Sequence, residues 1–255
     1  MKSERKLFGT DGIRGVAGAF PLDPETTFAI GRALARHLAR AAGRRVVIGQ
    51  DTRESGLSIA DSVSAGLAAE GVEVESAGVI TTPGIAHLAR CRKFDAGVVI
   101  SASHNPWTDN GIKVFGPDGY KLPDEVELEI EHEIFAGIEQ ASGGQSAARL
   151  AVSSLPGSRE LQLDYVEHLI ANVDRVPCVL KIIVDCAHGA ASAVAPAVLS
   201  RWGGELNVEF IHRDPNGQNI NDHCGALYPE TVARAVVERL ADLGITFDGD
   251  ADRAL

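Results

Sequence analysis

Nowhere in these 255 residues does an apolar run approach the roughly 18 residues that a membrane-spanning helix needs. Met1 to Gly9 is charged and has no apolar core, so no secretory signal is visible either. The chain therefore reads as cytoplasmic, with no membrane partner. Positive charge is also in deficit: 24 Lys and Arg stand against 35 Asp and Glu, for a formal net charge of −11. Nucleic acid and anionic lipid reward a basic face, so neither is expected as a partner. Cysteine is sparse. Cys91, Cys178, Cys186 and Cys224 lie far apart and form no Cys-x-x-Cys pair, which leaves a redox role little support and predicts reduced thiols.

Hydrophobic residues make up 45% of the chain, enough for one or two ordinary cores. Helical and strand-like stretches alternate. Helical spacing covers Thr26 to Ala41, Ser58 to Ala69, Pro83 to Ala89, Glu160 to Ala171, Ala190 to Trp202 and Pro229 to Leu243. Strand-like runs cover Arg45 to Ile48, Val72 to Ala77, Gly97 to Ile100, Leu180 to Val184, Asn207 to Ile211 and Ile245 to Phe247. Ile112 to Phe115 and Tyr120-Lys121 read as a hairpin, and the acidic stretch Asp124 to Gln140 as a solvated helix. The alternation predicts an α/β fold with parallel or mixed sheets covered on both faces. Between Ala141 and Ser158 the composition shifts to Gly, Ser and Ala with Pro156, which places the domain link there.

Two segments carry chemistry. In Val98-Val-Ile-Ser-Ala-Ser-His-Asn-Pro106 an apolar run breaks into a small polar loop, so a buried strand delivers the Ser103 hydroxyl to a sheet's carboxyl edge, where open α/β folds bind ligands. Ser103 is expected to be presented rather than packed, although a capped turn explains a Ser-His pair equally simply. In Phe247-Asp-Gly-Asp-Ala-Asp-Arg253 three carboxylates fall within five residues. They repel one another unless they point to water or share a cation, and an all-oxygen set favours a hard ion such as magnesium over zinc. An EF-hand is excluded: Arg253 stands at the sixth position, where Gly is required, and the chain stops at Leu255. An aspartyl nucleophile of the haloacid dehalogenase type is weakened because Asp252 fills the position of its Thr or Val.

Phe8-Gly-Thr-Asp-Gly-Ile-Arg-Gly15, Gly49-Gln-Asp-Thr-Arg-Glu-Ser-Gly56, Ile100 to Pro106, Asp109-Asn-Gly-Ile-Lys113 and Phe247 to Arg253 together resemble the ordered motifs of the α-D-phosphohexomutases. Asn219-Ile-Asn221, Cys224-Gly225 and Pro229-Glu230 are most similar to the bacterial phosphoglucosamine mutase branch. Ala226-Leu227-Tyr228 departs from the Ser-Thr-His usual there. The resemblance implies two α/β/α three-layer sandwich domains with mixed, mostly parallel sheets: residues 1–152 with a phosphoserine loop and 153–255 with a metal loop. It covers only the first half of such an enzyme, without the later sugar-reading and phosphate-binding loops. The chain is therefore expected to be a fragment with little turnover of its own.

The same resemblance implies residue roles. Ser103 would hold the transferable phosphoryl group, and Asp248, Asp250 and Asp252 would bind one Mg2+ together with an oxygen on Ser103. Arg14, Lys113 and Arg253 would line the phosphoserine or the substrate. Lys113 is the expected general acid/base, its pKa lowered by Arg14 and Arg253. His104 is as readily a donor that shapes the loop as a catalytic group. Arg53 is expected mainly to pair with Asp51. The implied reaction interconverts glucosamine 6-phosphate and glucosamine 1-phosphate through a bisphosphorylated sugar, with glucosamine or glucose 1,6-bisphosphate as activator. The implied partner is a phosphorylated hexosamine, and a homodimer is the assembly considered for a full-length enzyme.

Overall fold

A computed structural model describes residues 6–38, 44–142, 155–173, 179–201 and 206–255, with the backbone alone at 140–142. The first sheet has six strands in the order β1-β2-β6-β5-β3-β4. They are β1 (Phe8–Gly9), β2 (Gly12–Val16), β3 (Arg45–Gln50), β4 (Glu73–Val79), β5 (Ala96–Ile100) and β6 (Asp109–Phe115). β3 runs parallel to β4 and β5, while β6 pairs antiparallel with both β5 and β2. The expected hairpin shrinks to a single bridge, Phe115 to Lys121. Its first arm is recruited instead as an interior strand.

Strand alternation explains the layers. Val46, Ile48, Val98 and Ile100 point to one face, where α1 (Pro24–His37), α2 (Gly56–Ala69) and α4 (Asp124–Ser142) cover them. Val47 and Val99 point to the other, under α3 (Thr82–Cys91) and α5 (Arg159–Ala171). α1 and α2 approach closely because Gly31 and Gly66 face each other's helices; a Cβ at Gly31 would lie 2.1 Å from the Val63 carbonyl oxygen. The expectation that α4 is solvated is corrected by its inner face. Ile130 and Ile134 enter the core, and the buried Glu131 carboxylate accepts from the backbone N–H groups of Leu7 (2.8 Å) and Phe8 (3.2 Å). Most of its other acidic residues face outward, whereas Glu127 and Glu131 are buried.

The second sheet is wholly parallel, in the order β8-β7-β9, with β7 (Leu180–Asp185), β8 (Leu206–Ile211) and β9 (Leu243–Thr246). α6 (Ala191–Leu199) packs on Ile182 and Val184, and α7 (Pro229–Glu238) on Ile183. α7 stops at Glu238, short of the expected Leu243, because Leu243 already belongs to β9. The boundary placed between residues 152 and 153 lies outside the described residues, as does Cys178. Among the described residues no helix is long and apolar enough to cross a membrane.

Candidate active site

β5 ends at Ile100, and the loop that follows is built around Ser101 and Ser103. The Ser103 N–H donates to Ser101 Oγ (2.9 Å), and Ser101 Oγ donates to Asp51 Oδ2 (2.6 Å). Ser103 adopts a left-handed backbone, φ 54°, a conformation that ordinarily costs a non-glycine residue energy and must be held by its surroundings. Arg53 provides much of that hold. Its guanidinium, wholly buried with the Asp51 carboxylate, donates to Asp51 Oδ2 (2.9 Å) and to the carbonyl oxygens of Ser103, Asn105 and Asp109 (2.9 Å each) and of Pro106. From the second half of the chain, Asn221 Nδ2 donates to the same Ser103 and Asn105 carbonyls, at 2.9 and 3.2 Å.

The acidic loop after β9 closes over this one. Ser103 Oγ donates to Asp248 Oδ2 at 2.6 Å, so the Ser103 side chain is fully buried rather than presented. The reason is the covering loop: Gly249 lies so close that a Cβ there would meet the Ser103 carbonyl oxygen at 2.5 Å. Oxygens of Asp248, Asp250 and Asp252 lie within 4.8 Å of one another. Burial and the Asp250 charge push the Asp248 carboxyl up to about 7. Asp250 accepts from Lys113 Nζ (2.7 Å) and Thr82 Oγ1, while its other oxygen, Oδ1, is buried with no hydrogen-bond partner. Three crowded carboxylates with an orphaned inward oxygen fit a hard divalent cation.

Lys113 corrects an expectation. Burial pulls its pKa down, but Asp250 at 2.7 Å and Asp11 at 3.0 Å outweigh that, and the net direction is upward. Its nearest neighbours are carboxylates, not the arginines thought to crowd it. Asp11 instead gathers the cations, touching Arg14 (2.8 Å), Lys113 and Lys121. The Thr10-Asp11-Gly12 turn that places it requires glycine: Gly12 has φ 81°, and a Cβ would sit 2.3 Å from the Ile112 carbonyl oxygen. Arg14 Nε remains buried and unpartnered, a donor still to be used. His104 Nδ1 lies 3.4 Å from Ser103 Oγ, and burial, followed by Arg253 and Arg14, lowers its pKa. Arg253 is the outlier of the expected set. Its side chain is 56% exposed with Nε 3.6 Å from Asp252, and its backbone N–H donates to Asp248 Oδ1 (3.2 Å).

Residues 5–141 match the family described as phosphoglucomutase/phosphomannomutase, alpha/beta/alpha domain I, and residues 163–255 match alpha/beta/alpha domain II of the same description. The chain belongs to the phosphoglucomutase/phosphomannomutase family. It is 53% identical, over all of its length, to a phosphoglucosamine mutase of Koribacter versatilis, and 49% identical over 98% of its length to one of Solibacter usitatus. It spans 55% of the length of each of these curated relatives. Among solved structures, a phosphoglucomutase/phosphomannomutase family protein from Burkholderia thailandensis superposes with a TM-score of 0.76 at 27% identity, over 97% of this chain and 53% of that one.

In this member of the phosphoglucomutase/phosphomannomutase family, sequence reasoning underrated three residues. Arg53 pairs with Asp51 as expected but spends most of its donors on the Ser103 loop. Asn221 was visible within the Asn219-Ile-Asn221 resemblance, but nothing in the sequence pointed to its hold on the Ser103 and Asn105 carbonyls. Thr82, which holds Asp250 through both its hydroxyl and its N–H (3.0 Å to the Asp250 carbonyl oxygen), carried no signal beyond its place ahead of a helix proline.

Proposed function

We propose that Ser103 carries the transferable phosphoryl group of a phosphoglucosamine mutase, which interconverts glucosamine 6-phosphate and glucosamine 1-phosphate through a bisphosphorylated hexosamine. The supporting observation is the 2.6 Å hydrogen bond from Ser103 Oγ to Asp248 across two separately built loops. A hydroxyl at a strand end, buried against a carboxylate cluster and flanked by Lys113 and the unpartnered Arg14 Nε, suits phosphoryl transfer, in which positioning and charge stabilisation do most of the catalysis. The sugar assignment rests on the relatives named phosphoglucosamine mutase.

Asp248, Asp250 and Asp252 would hold Mg2+, and a bound ion neutralises charge on the transferring oxygens. The chain's own residues do the rest. When the phosphoryl group leaves Ser103 for a sugar hydroxyl, the hydroxyl proton must depart and a proton must reach Ser103 Oγ. The end point is the Oγ–H seen donating to Asp248. Lys113, kept protonated by Asp250 and Asp11, is the acid side of that exchange. Arg14 keeps an unpartnered Nε–H that an anionic group could use, and His104 shapes the loop as a neutral imidazole. Arg253, at the rim, contacts the substrate.

The experiment is intact-mass and phosphopeptide analysis before and after incubation with glucosamine or glucose 1,6-bisphosphate and Mg2+. One phosphate on Ser103, absent from Ser103→Ala and from Asp248→Asn, is the expected result. If a longer chain containing the remaining length of its relatives also fails to label Ser103, the assignment is wrong. The departure at Ala226-Leu227-Tyr228, within and after the short 3-10 turn Gly225–Leu227, supports a second reading as a phosphoglucomutase or phosphomannomutase. Comparing glucosamine, glucose and mannose phosphates as substrates of the longer chain separates the two.

A further inference from the structure

A second cluster of metal-binding side chains lies behind the acidic loop, and the phosphoryl chemistry does not use it. Asp185 ends β7, His212 follows β8, and Cys224 precedes the short 3-10 turn; one ligand atom from each lies within 4.8 Å of the other two. Asp185 and Cys224 are completely buried. Asp185 Oδ1 accepts from the Ala187 N–H (2.9 Å) and Oδ2 from the Gly225 N–H (3.1 Å), so the carboxylate is fixed in orientation and still has lone pairs to offer. His212 Nδ1 stands 3.1 Å from Asp185 Oδ1, yet it makes no hydrogen bond there or elsewhere despite being shielded from solvent. A second shielded nitrogen, His188 Nδ1, is likewise unpartnered, and the two rings meet edge to face at 5.3 Å.

Buried nitrogens without partners are costly, and His212 Nδ1, 3.1 Å from Asp185 Oδ1 without a hydrogen bond to it, can be satisfied by a cation that both atoms ligate. Tetrahedral zinc with bonds of about 2.0 to 2.3 Å sets neighbouring ligand atoms roughly 3.3 to 3.5 Å apart, close to the 3.1 Å already present. The donor set, one oxygen, one nitrogen and one sulfur, is unlike the all-oxygen acidic loop and suits a borderline ion rather than magnesium. We propose that Asp185, His212 and Cys224 bind one zinc-class divalent ion, with the fourth position open to water. The ion ties together three segments on which the candidate active site depends. The Asp185 carbonyl oxygen accepts from the Phe247 N–H (3.0 Å), directly before Asp248, and the Ala187 carbonyl oxygen accepts from the Asn221 N–H (2.9 Å). Binding converts the Cys224 thiol, pushed up to about 12 by burial and then by Asp185, to a thiolate and releases its proton.

The test is cobalt substitution of the chelator-treated chain in a large excess of Mg2+, which occupies the acidic loop. Uptake of one Co2+ with a thiolate-to-cobalt charge-transfer band, erased by one equivalent of Zn2+, is expected. Cys224→Ser should lose the band and His212→Ala should weaken Co2+ binding at least about tenfold. Asp250→Asn and Cys91→Ser should leave both unchanged. Should the substituted proteins misfold, X-ray absorption at the zinc edge of the unaltered chain decides the matter, since one sulfur in the shell is required. No charge-transfer band, a band that survives Cys224→Ser or disappears with Asp250→Asn, or an all-oxygen shell overturns the proposal.

Discussion

Replacing Arg53 with alanine should be the most damaging single change near the Ser103 loop, and its size can be worked out group by group. The guanidinium is wholly buried and serves one carboxylate and four carbonyl oxygens. The carbonyls are partly insured: Asn221 still reaches those of Ser103 and Asn105, and the Asp109 N–H donates to that of Pro106 (3.1 Å). Asp51 is not. It keeps hydrogen bonds from Ser101 Oγ and the Arg53 N–H but loses its only described counter-charge, and burial already raises its pKa. Breaking a buried ion pair by removing one partner costs about 3–5 kcal/mol, so Arg53→Ala should lose about that much. Arg53→Lys keeps the charge without the fork and should lose about half. Urea unfolding followed by Trp107 emission in a Trp202→Phe background measures this, provided the denaturant slope is unchanged. The informative variant is Asp51→Asn combined with Arg53→Ala, which removes both charges and should cost less than the sum of the single changes by at least about 1 kcal/mol. A loss below about 1 kcal/mol for Arg53→Ala, or strict additivity in the double variant, would refute the account.

Other consequences are quicker to check. Mg2+ at about 100 times its dissociation constant should raise unfolding stability by about 2.7 kcal/mol, and Asp250→Asn should abolish the gain. Without metal, the raised Asp248 carboxyl makes stability fall with pH: its contribution is complete below the ordinary carboxylate value near pH 4 and is lost as pH rises through about 7. Denaturant midpoints at pH 5 and pH 8 should therefore differ in that direction, and Mg2+ should shrink the gap. Gly31→Ala should separate α1 from α2 and cost about 1–3 kcal/mol, whereas Gly137→Ala, whose new methyl meets only Ala29 at 3.9 Å, should be neutral or better in thermal unfolding. Alkylation at pH 8 should modify exposed Cys91 and spare Cys186 and Cys224, both buried and both pushed up to about 12.

The fold was legible where local pattern and burial agree. Val46 to Ile48 and Val98 to Ile100 are continuous apolar runs because each is covered on both faces, and such runs announce interior strands whatever the neighbours do. β6 was misjudged as a hairpin arm because Gly116-Pro-Asp-Gly119 is a genuine turn signal, but the strand's partners lie at Ile13 and Ile100, far away in sequence. α4 misled for a related reason. Composition averages over faces, and its acidic surface hides Glu131, whose carboxylate anchors the chain's first strand.

The site divides along the same line. Ser103 and the three aspartates stand at strand ends, where position alone argues for ligand contact. Arg53 was reduced to a partner of Asp51 because the two are neighbours, and the donor inventory shows why that could not suffice. A guanidinium carries five N–H donors. Asp51 takes only Nε, so an Arg53 that is buried at all needs several further acceptors within reach. A loop that turns sharply around a left-handed serine has inward-facing carbonyls in need of donors. Each deficit is the other's remedy, and the pairing can be inferred once burial is granted. Burial is itself a consequence of the second half of the chain: Asn221 and the acidic loop close over Ser103 from residues more than a hundred positions away. The Ser103 loop is therefore best understood as a shared structure, held from below by Arg53 and from above by Asn221 and Asp248. Perturbing either side should move the Ser103 hydroxyl even where its own loop sequence is untouched.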